Sequence, residues 1–232
     1  SIFGVVILPS PAYLEMALSA AAQLFPQEAY AVANFTIHTP LLLPEEGTRT
    51  VQLVVKQPAA AAVGDARSFQ VMAWDEAAGD WKLHASGELQ RQPAAAPAAP
   101  FSPAEAQARC PHTVTGADYY EQVRALGLTF GESFQGIREV WIDIEKGLDT
   151  SEGVWIGEGE ALGRIELPAA LVEEAGRYRF HPAMLDACFH LLGAPLAKNG
   201  MDAAYLLIGI DRFQLHRSPG PVLWNQTRTL QM

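Results

Sequence analysis

Hydrophobic residues along this chain are spaced in two ways, and each spacing predicts a different element. Residues 12–25 are rich in Ala, Leu and Met and are apolar nearly all round. That pattern marks a buried helix rather than a surface one. Ser10 in Pro9-Ser10-Pro11 is the expected N-cap, with Pro11 at the first helical position. A short strand is expected just before, over residues 4–8. Beyond the helix come strand-like runs at 30–43, 50–56, 67–74 and 81–90. The stretches 50–55 and 82–89 alternate in part between apolar and polar residues, as half-buried strands do. Pro44 to Gly47 and the pair Gly79-Asp80 supply turn signals between them.

Residues 92–104 change character, with four prolines set among alanines. Such a stretch is a semi-extended connector. The expected organisation is therefore an N-terminal unit over 1–91, a linker over 92–112 and a C-terminal unit over 113–232. The second unit repeats the theme of the first. A polar helix is expected at 117–126, strands at 137–144, 153–156 and 163–167, and a second apolar helix from Pro182 to Leu192. Further strands are expected at 204–216 and 222–230. Each half thus holds one apolar helix among several antiparallel-type strands. No regular strand–helix alternation occurs, so the fold class is α+β rather than a doubly wound sheet. The architecture drawn from this is two sheets, each wrapped around a central helix.

Composition narrows the functional classes. With 49% hydrophobic residues the chain can build a sizeable core. Its formal charge of -10 argues against nucleic-acid binding, which draws on a basic surface. No run of eighteen apolar residues predicts a membrane helix. Ser1 to Val6 has no basic n-region, and with no initiating Met the chain reads as a segment of a longer polypeptide. Cys110 and Cys188 lie far apart and outside any metal-spacing motif. Cys188 sits in an apolar run and reads as a buried free thiol, in keeping with a reducing, cytoplasmic setting. No His/Cys cluster has ligand spacing, so no metal is expected.

One stretch carries chemistry. His181-Pro182-Ala183-Met184-Leu185-Asp186-Ala187-Cys188-Phe189-His190 places a carboxylate and an imidazole four residues apart in an apolar run. On a helix the two share a face. Burial penalises a carboxylate anion, and a protonated carboxyl is a proton donor. The pattern alone leaves Asp186 either structural or catalytic. His190 would orient that carboxyl or bind substrate. His181, just before the helix-starting proline, reads as a loop-positioning residue. His38, His84, His112 and His216 have no identifiable partners in the sequence.

His181-Pro182-x-x-Leu185-Asp186-x-x-x-His190 resembles the second catalytic motif of polyketide synthase dehydratase domains. Gly4-x-x-x-x-Pro9 with Tyr13-Leu14-Glu15-Met16-Ala17 resembles the first motif and its helix. Gly131-x-x-Phe134-Gln135-Gly136 resembles the third, and Gly209-Ile210-Asp211-Arg212 fits a late strand of the family. The resemblance implies a double hot-dog fold, homodimerisation and no cofactor. Its implied partners are an acyl carrier protein and neighbouring synthase domains. It also implies a substrate held on the carrier's phosphopantetheine arm, and loss of water from a β-hydroxyacyl thioester. Asp186 would be the acid and His190 its supporting neighbour, with Gly4, Pro9, Phe130, Gly131, Phe134 and Leu185 against substrate. The family's base, a histidine, would stand immediately before Ser1. Some positions depart from the family pattern: Phe130 replaces a tyrosine, Glu132 a proline, Leu207 a proline and Ser10 a glycine. They leave open an added isomerase, epimerase or pyran- or furan-forming cyclase activity. A silent docking domain is a further alternative.

Overall fold

The computed structural model describes residues 5–26, 28–44, 46–56, 66–92, 101–143, 160–192 and 207–228. The chain divides into two compact units. One comprises Gly4–Ala98 and Leu207–Ser218; the other comprises Ala99–Leu206, Pro219–Met232 and Ser1–Phe3. The expected segments at 153–156, 204–206 and 229–230, and residues 93–100 of the linker, lie outside the described residues.

In the first unit, helix α1 spans Ser10–Leu24. Its N-cap is Pro9, not Ser10, and no side chain caps it. The helix starts one residue earlier than expected because the Pro9 carbonyl accepts the Ala12 N–H at 3.0 Å. Ser10 is thereby drawn into the first turn. Tyr13, Leu14, Ala17, Leu18 and Ala21 are buried, as the near-continuous apolar pattern requires. Each of the larger side chains contributes on the order of 2 kcal/mol by leaving water.

Four strands follow: β1 (Ala29–Ile37), β2 (Val51–Val55), β3 (Ala66–Asp75) and β4 (Asp80–Gln92). The hairpin between β3 and β4 turns where the glycine signal lies. Gly79 takes a φ of +66°, and the Asp75 carboxylate accepts the N–H groups of Ala77 and Ala78. Strand β1 ends earlier than the run 30–43 suggested. Residues 41–43 instead form a short antiparallel ladder with Val6 to Leu8, through Leu8 N–H to the Leu41 carbonyl and Leu43 N–H to the Val6 carbonyl.

The second unit opens with helix α2 (Pro103–Arg109), strand β5 (His112–Thr115) and helix α3 (Gly116–Ala125). A linker over 92–112 therefore needs correction at both ends. Gln92 is the last residue of β4, and 103–109 is helical. Ser102 accepts the Glu105 N–H on its hydroxyl, and Pro103 fits the first helical turn. Buried Ala106 and Cys110 anchor this helix. Strands β6 (Ile137–Ile142) and β7 (Glu160–Glu166), helix α4 (Pro182–His190), and strands β8 (Gly209–Gln214) and β9 (Val222–Arg228) complete the order.

The two sheets are antiparallel, in the orders β2-β3-β4-β1-β8 and β5-β6-β7-β9. Strand β8 thus belongs to the first sheet, although a division by chain order at 113 assigned it to the second half. It pairs with β1, Ala31 facing Gln214 and Thr36 facing Gly209. The register slips around Asn34, whose φ of +50° marks a bulge. In each unit the apolar helix packs on its own sheet, α1 on β1 and β4, and α4 on β7. This is the double hot-dog arrangement.

Candidate active site

Helix α4 is built to hold its polar residues in fixed places. His181 is its N-cap and Pro182 its first residue. The His181 ring accepts the Ala183 N–H on Nδ1 at 3.2 Å, so a histidine does the work usually given to serine or aspartate. Its Nε2 lies 3.4 Å from Oε1 of Glu174, and the Tyr178 ring meets it edge-on. Ala183, Met184, Leu185, Ala187 and Cys188 are buried. Pro182, Asp186, Phe189 and His190 are only part-buried, and of these Asp186 and His190 stand one turn apart on a shared face.

At the other end of α4, two carbonyls that the helix itself leaves unpaired find side chains. The Tyr119 hydroxyl donates to the His190 carbonyl at 2.6 Å. Asn225 Nδ2 donates to the Cys188 carbonyl at 2.7 Å. Helix α3 and strand β9 therefore clamp the turn that carries His190.

Asp186 Oδ2 and His190 Nε2 are 2.9 Å apart, and the side chains are only 13% and 9% exposed. The Phe130 ring lies on the His190 ring, with centroids 3.8 Å apart. Tyr120 meets the same imidazole edge-on, and its hydroxyl is 3.4 Å from Nδ1. Phe130 is placed by Gln135, whose Nε2 donates to its carbonyl at 2.9 Å. Gly131 opens the 3-10 turn Glu132–Phe134, with Phe134 N–H bonded to its carbonyl. Glu132 is the first residue of that turn.

Burial pushes the phenols of Tyr119 and Tyr120 above the ordinary tyrosine range, the nearby Asp186 charge adding to the effect on Tyr120. Burial, reinforced by Asp186, pushes the Cys188 thiol up to about 12. These groups stay neutral around the carboxyl–imidazole pair.

The structure brings Asp186, His190, Phe130 and Phe134 together. Phe134 contributes its carbonyl, which accepts the Tyr120 hydroxyl at 3.2 Å. Leu185 is 2% exposed and packs in the core of its unit. Gly131 has open space where a side chain would stand. Pro9 belongs to the other unit as the N-cap of α1, and Gly4 lies outside the described residues. Sequence reasoning missed Tyr119, Tyr120 and Asn225. Adjacent tyrosines in a helix that is otherwise polar were the available signal for the first two; the sequence offered none for Asn225. Among the described residues, no group of three or more His, Cys, Asp or Glu side chains could hold a metal ion. Nor is any helix there long and apolar enough to cross a membrane.

Two family models match the chain: "Polyketide synthase dehydratase N-terminal domain" over residues 98–231 and "Polyketide synthase dehydratase domain" over residues 1–74. The chain belongs to the polyketide synthase dehydratase family. Members of this family are hydro-lyases acting on β-hydroxyacyl thioesters. The dehydratase domain is 34% identical, over 87% of its length, to polyketide synthase GfsB of Streptomyces halstedii. It spans only 3% of that much longer protein. Among solved structures, it superposes on the dehydratase domain from the CurF module of curacin polyketide synthase with a TM-score of 0.86. Identity there is 31%, covering 99% of this chain and 76% of the other. Two variants of the CurK dehydratase, one His-to-Phe and one Asp-to-Asn, match at TM-scores of 0.82 and 0.81 and 28% identity. Each match covers 99% of this chain, with 75% and 74% of the CurK chains, and both variants are described as inactive.

Proposed function

We propose that Asp186 is the general acid of this dehydratase domain and that His190 holds its carboxyl in place. The observation carrying this reading is the 2.9 Å contact between two largely buried side chains one turn apart on α4. Elimination needs a proton delivered to a poor leaving group, the β-hydroxyl, while a base removes the α-proton next to the thioester carbonyl. A carboxyl shielded from water and oriented by an imidazole suits the first task. The inactivity of an Asp-to-Asn variant in the CurK dehydratase supports the assignment. Its inactive His-to-Phe counterpart supports a histidine base. That base is proposed to stand immediately before Ser1, outside this sequence.

The reaction runs without a cofactor, on an acyl chain carried by the phosphopantetheine arm of an acyl carrier protein. Phe130, Gly131 and Phe134, on the same unit as the Asp186–His190 pair, contact that chain; Leu185 is packed in the core of that unit. Within a cytoplasmic synthase the domain works as a homodimer beside its neighbouring domains.

The test offers a β-hydroxyacyl pantetheine thioester to a polypeptide that includes the residues preceding Ser1, and follows loss of water by mass. Asp186→Asn is expected to lower the rate by about 100-fold or more, the usual contribution of a positioned acid. A variant that eliminates water at the wild-type rate would remove Asp186 from the mechanism. The position of the product double bond, read by NMR, distinguishes simple dehydration from dehydration with isomerisation.

A further inference from the structure

The surroundings of Tyr120 decide which nitrogen of His190 carries a proton. A tyrosine oxygen has one proton to give and two lone pairs to offer. The Ile137 N–H, which can only donate, reaches it at 3.2 Å. The Phe134 carbonyl, which can only accept, lies 3.2 Å away. The amide uses one lone pair, and the carbonyl takes the hydroxyl proton. One lone pair remains, and it faces His190 Nδ1 at 3.4 Å.

We infer that Tyr120 is a positioning residue that fixes His190 with its proton on Nδ1, so that Nε2 and Asp186 Oδ2 share a single proton. A neutral imidazole protonated on Nδ1 presents a lone pair at Nε2. Two bare lone pairs 2.9 Å apart would repel, so the observed contact with Oδ2 requires a proton between them. That proton lies on the carboxyl, donated to nitrogen, or on the imidazole, donated to carboxylate. Either way the pair holds one proton more than a carboxylate facing an Nε2–H imidazole. This inference rests on the proposed acid role of Asp186 and says which form of the imidazole the acid faces.

His181 supplies a contrast on the same helix. There the Ala183 N–H occupies Nδ1, so the ring proton stands on Nε2, toward Glu174. Fixed backbone donors thus hold the two histidines of α4 as opposite tautomers, one directly and one through Tyr120. Among the described residues, besides Asp186 and Tyr120, the titratable group against His190 is Tyr119, which donates to its carbonyl and is neutral near pH 7.

The experiment is a two-bond proton–nitrogen correlation spectrum of the histidine rings in the labelled protein at neutral pH. The His190 signals are assigned by their loss in His190→Gln. The expected spectrum shows Nδ1 protonated in the wild type. In Tyr120→Phe, checked for folding by circular dichroism, the Nδ1-protonated fraction falls and the Nε2–H form becomes the majority. A wild-type His190 with bare Nδ1, or a Tyr120→Phe spectrum unchanged from wild type, overturns the inference. If Tyr120→Phe does not fold, the wild-type spectrum alone decides. No turnover is involved, so a negative result here is distinct from failure of the acid assignment, which the Asp186→Asn assay tests.

Discussion

Gly136 is where the packing of the site can be perturbed most cleanly. A Cβ at this position would stand 2.8 Å from Ala187 Cβ on α4, 3.3 Å from the Glu166 carbonyl oxygen and 3.6 Å from Ile165 Cγ2. The first distance is about 0.6 Å short of ordinary van der Waals contact. Neither side yields easily. The Gly136 carbonyl accepts the Glu166 N–H at 2.8 Å, which ties that backbone to the end of β7, and Ala187 Cβ has no torsion to rotate away. Relief in Gly136→Ala must come from moving α4, and Asp186 is the residue next to the point of contact. Overpacking of this kind costs about 2 kcal/mol. A displacement of order 1 Å in a catalytic group costs about 100-fold in rate. Ala187→Gly removes the opposing methyl. By itself it costs about 1–2 kcal/mol, through helix propensity and lost burial. In the double variant the clash is gone, so the combined loss falls short of the sum by about 1–2 kcal/mol, and much of the activity returns. Denaturant unfolding of the four proteins in the cycle measures the coupling, and dehydration rates measure the repositioning. Additivity within about 0.3 kcal/mol, or an undiminished rate in Gly136→Ala, would refute the reasoning.

Three other outcomes follow from the charges and thiols. Tyr119 and Tyr120 are held neutral by burial, whereas in the unfolded chain they ionise near pH 10. Their contribution is therefore intact below pH 10 and lost as pH rises above it, so urea midpoints should fall from pH 9.5 upward, and less in Tyr119→Phe. Glu160 is held down to about 2, first by its hydrogen bond to Arg109, then by Gln226 and the Arg228 charge. That contribution is present above the ordinary glutamate range near 4.5 and disappears as pH falls from there toward 2; Glu160→Gln should flatten this limb of the stability profile. Cys188, with its thiol pushed up to about 12, and Cys110, at about 11, are both buried. Neither should react with a thiol reagent at pH 8 until denaturant is added, and mass spectrometry of the alkylated protein counts the modified sites.

Elements with a strong local signature were legible in the chain. The run from Pro182 is apolar and opens on a proline, and it is a helix with Asp186 and His190 in contact. The hairpin at Gly79 turns where glycine permits a positive φ. Helix α2 was hidden because the prolines and alanines around it read as a connector. Its start was nonetheless written in Ser102-Pro103-x-Glu105, a cap followed by a helix-compatible proline. Ser10 misled in the opposite direction. Its residue type suits a cap, but the backbone bond from Ala12 to Pro9 shifted the start, and residue preference does not report that bond. The destination of β8 was not readable at all, since antiparallel pairing between Ala31 and Gln214 is decided by the assembled sheet and leaves no local mark. Tyr120 was missed for a similar reason. Its partners Phe134, Ile137 and His190 meet only after α3, β6 and α4 have packed.

The return of β8 to β1 constrains how this domain can be recombined. A shuffled enzyme cut at the proline–alanine stretch would separate β1 from the strand that covers its outer flank. The severed piece would display bare amide and carbonyl groups along Ala31, Val32, Ala33, Phe35 and Thr36, an invitation to stack with copies of itself. Exchange between synthases therefore keeps everything from α1 through β9 as one cassette, since β9 in turn covers the edge of β7, with its seams placed outside both ends.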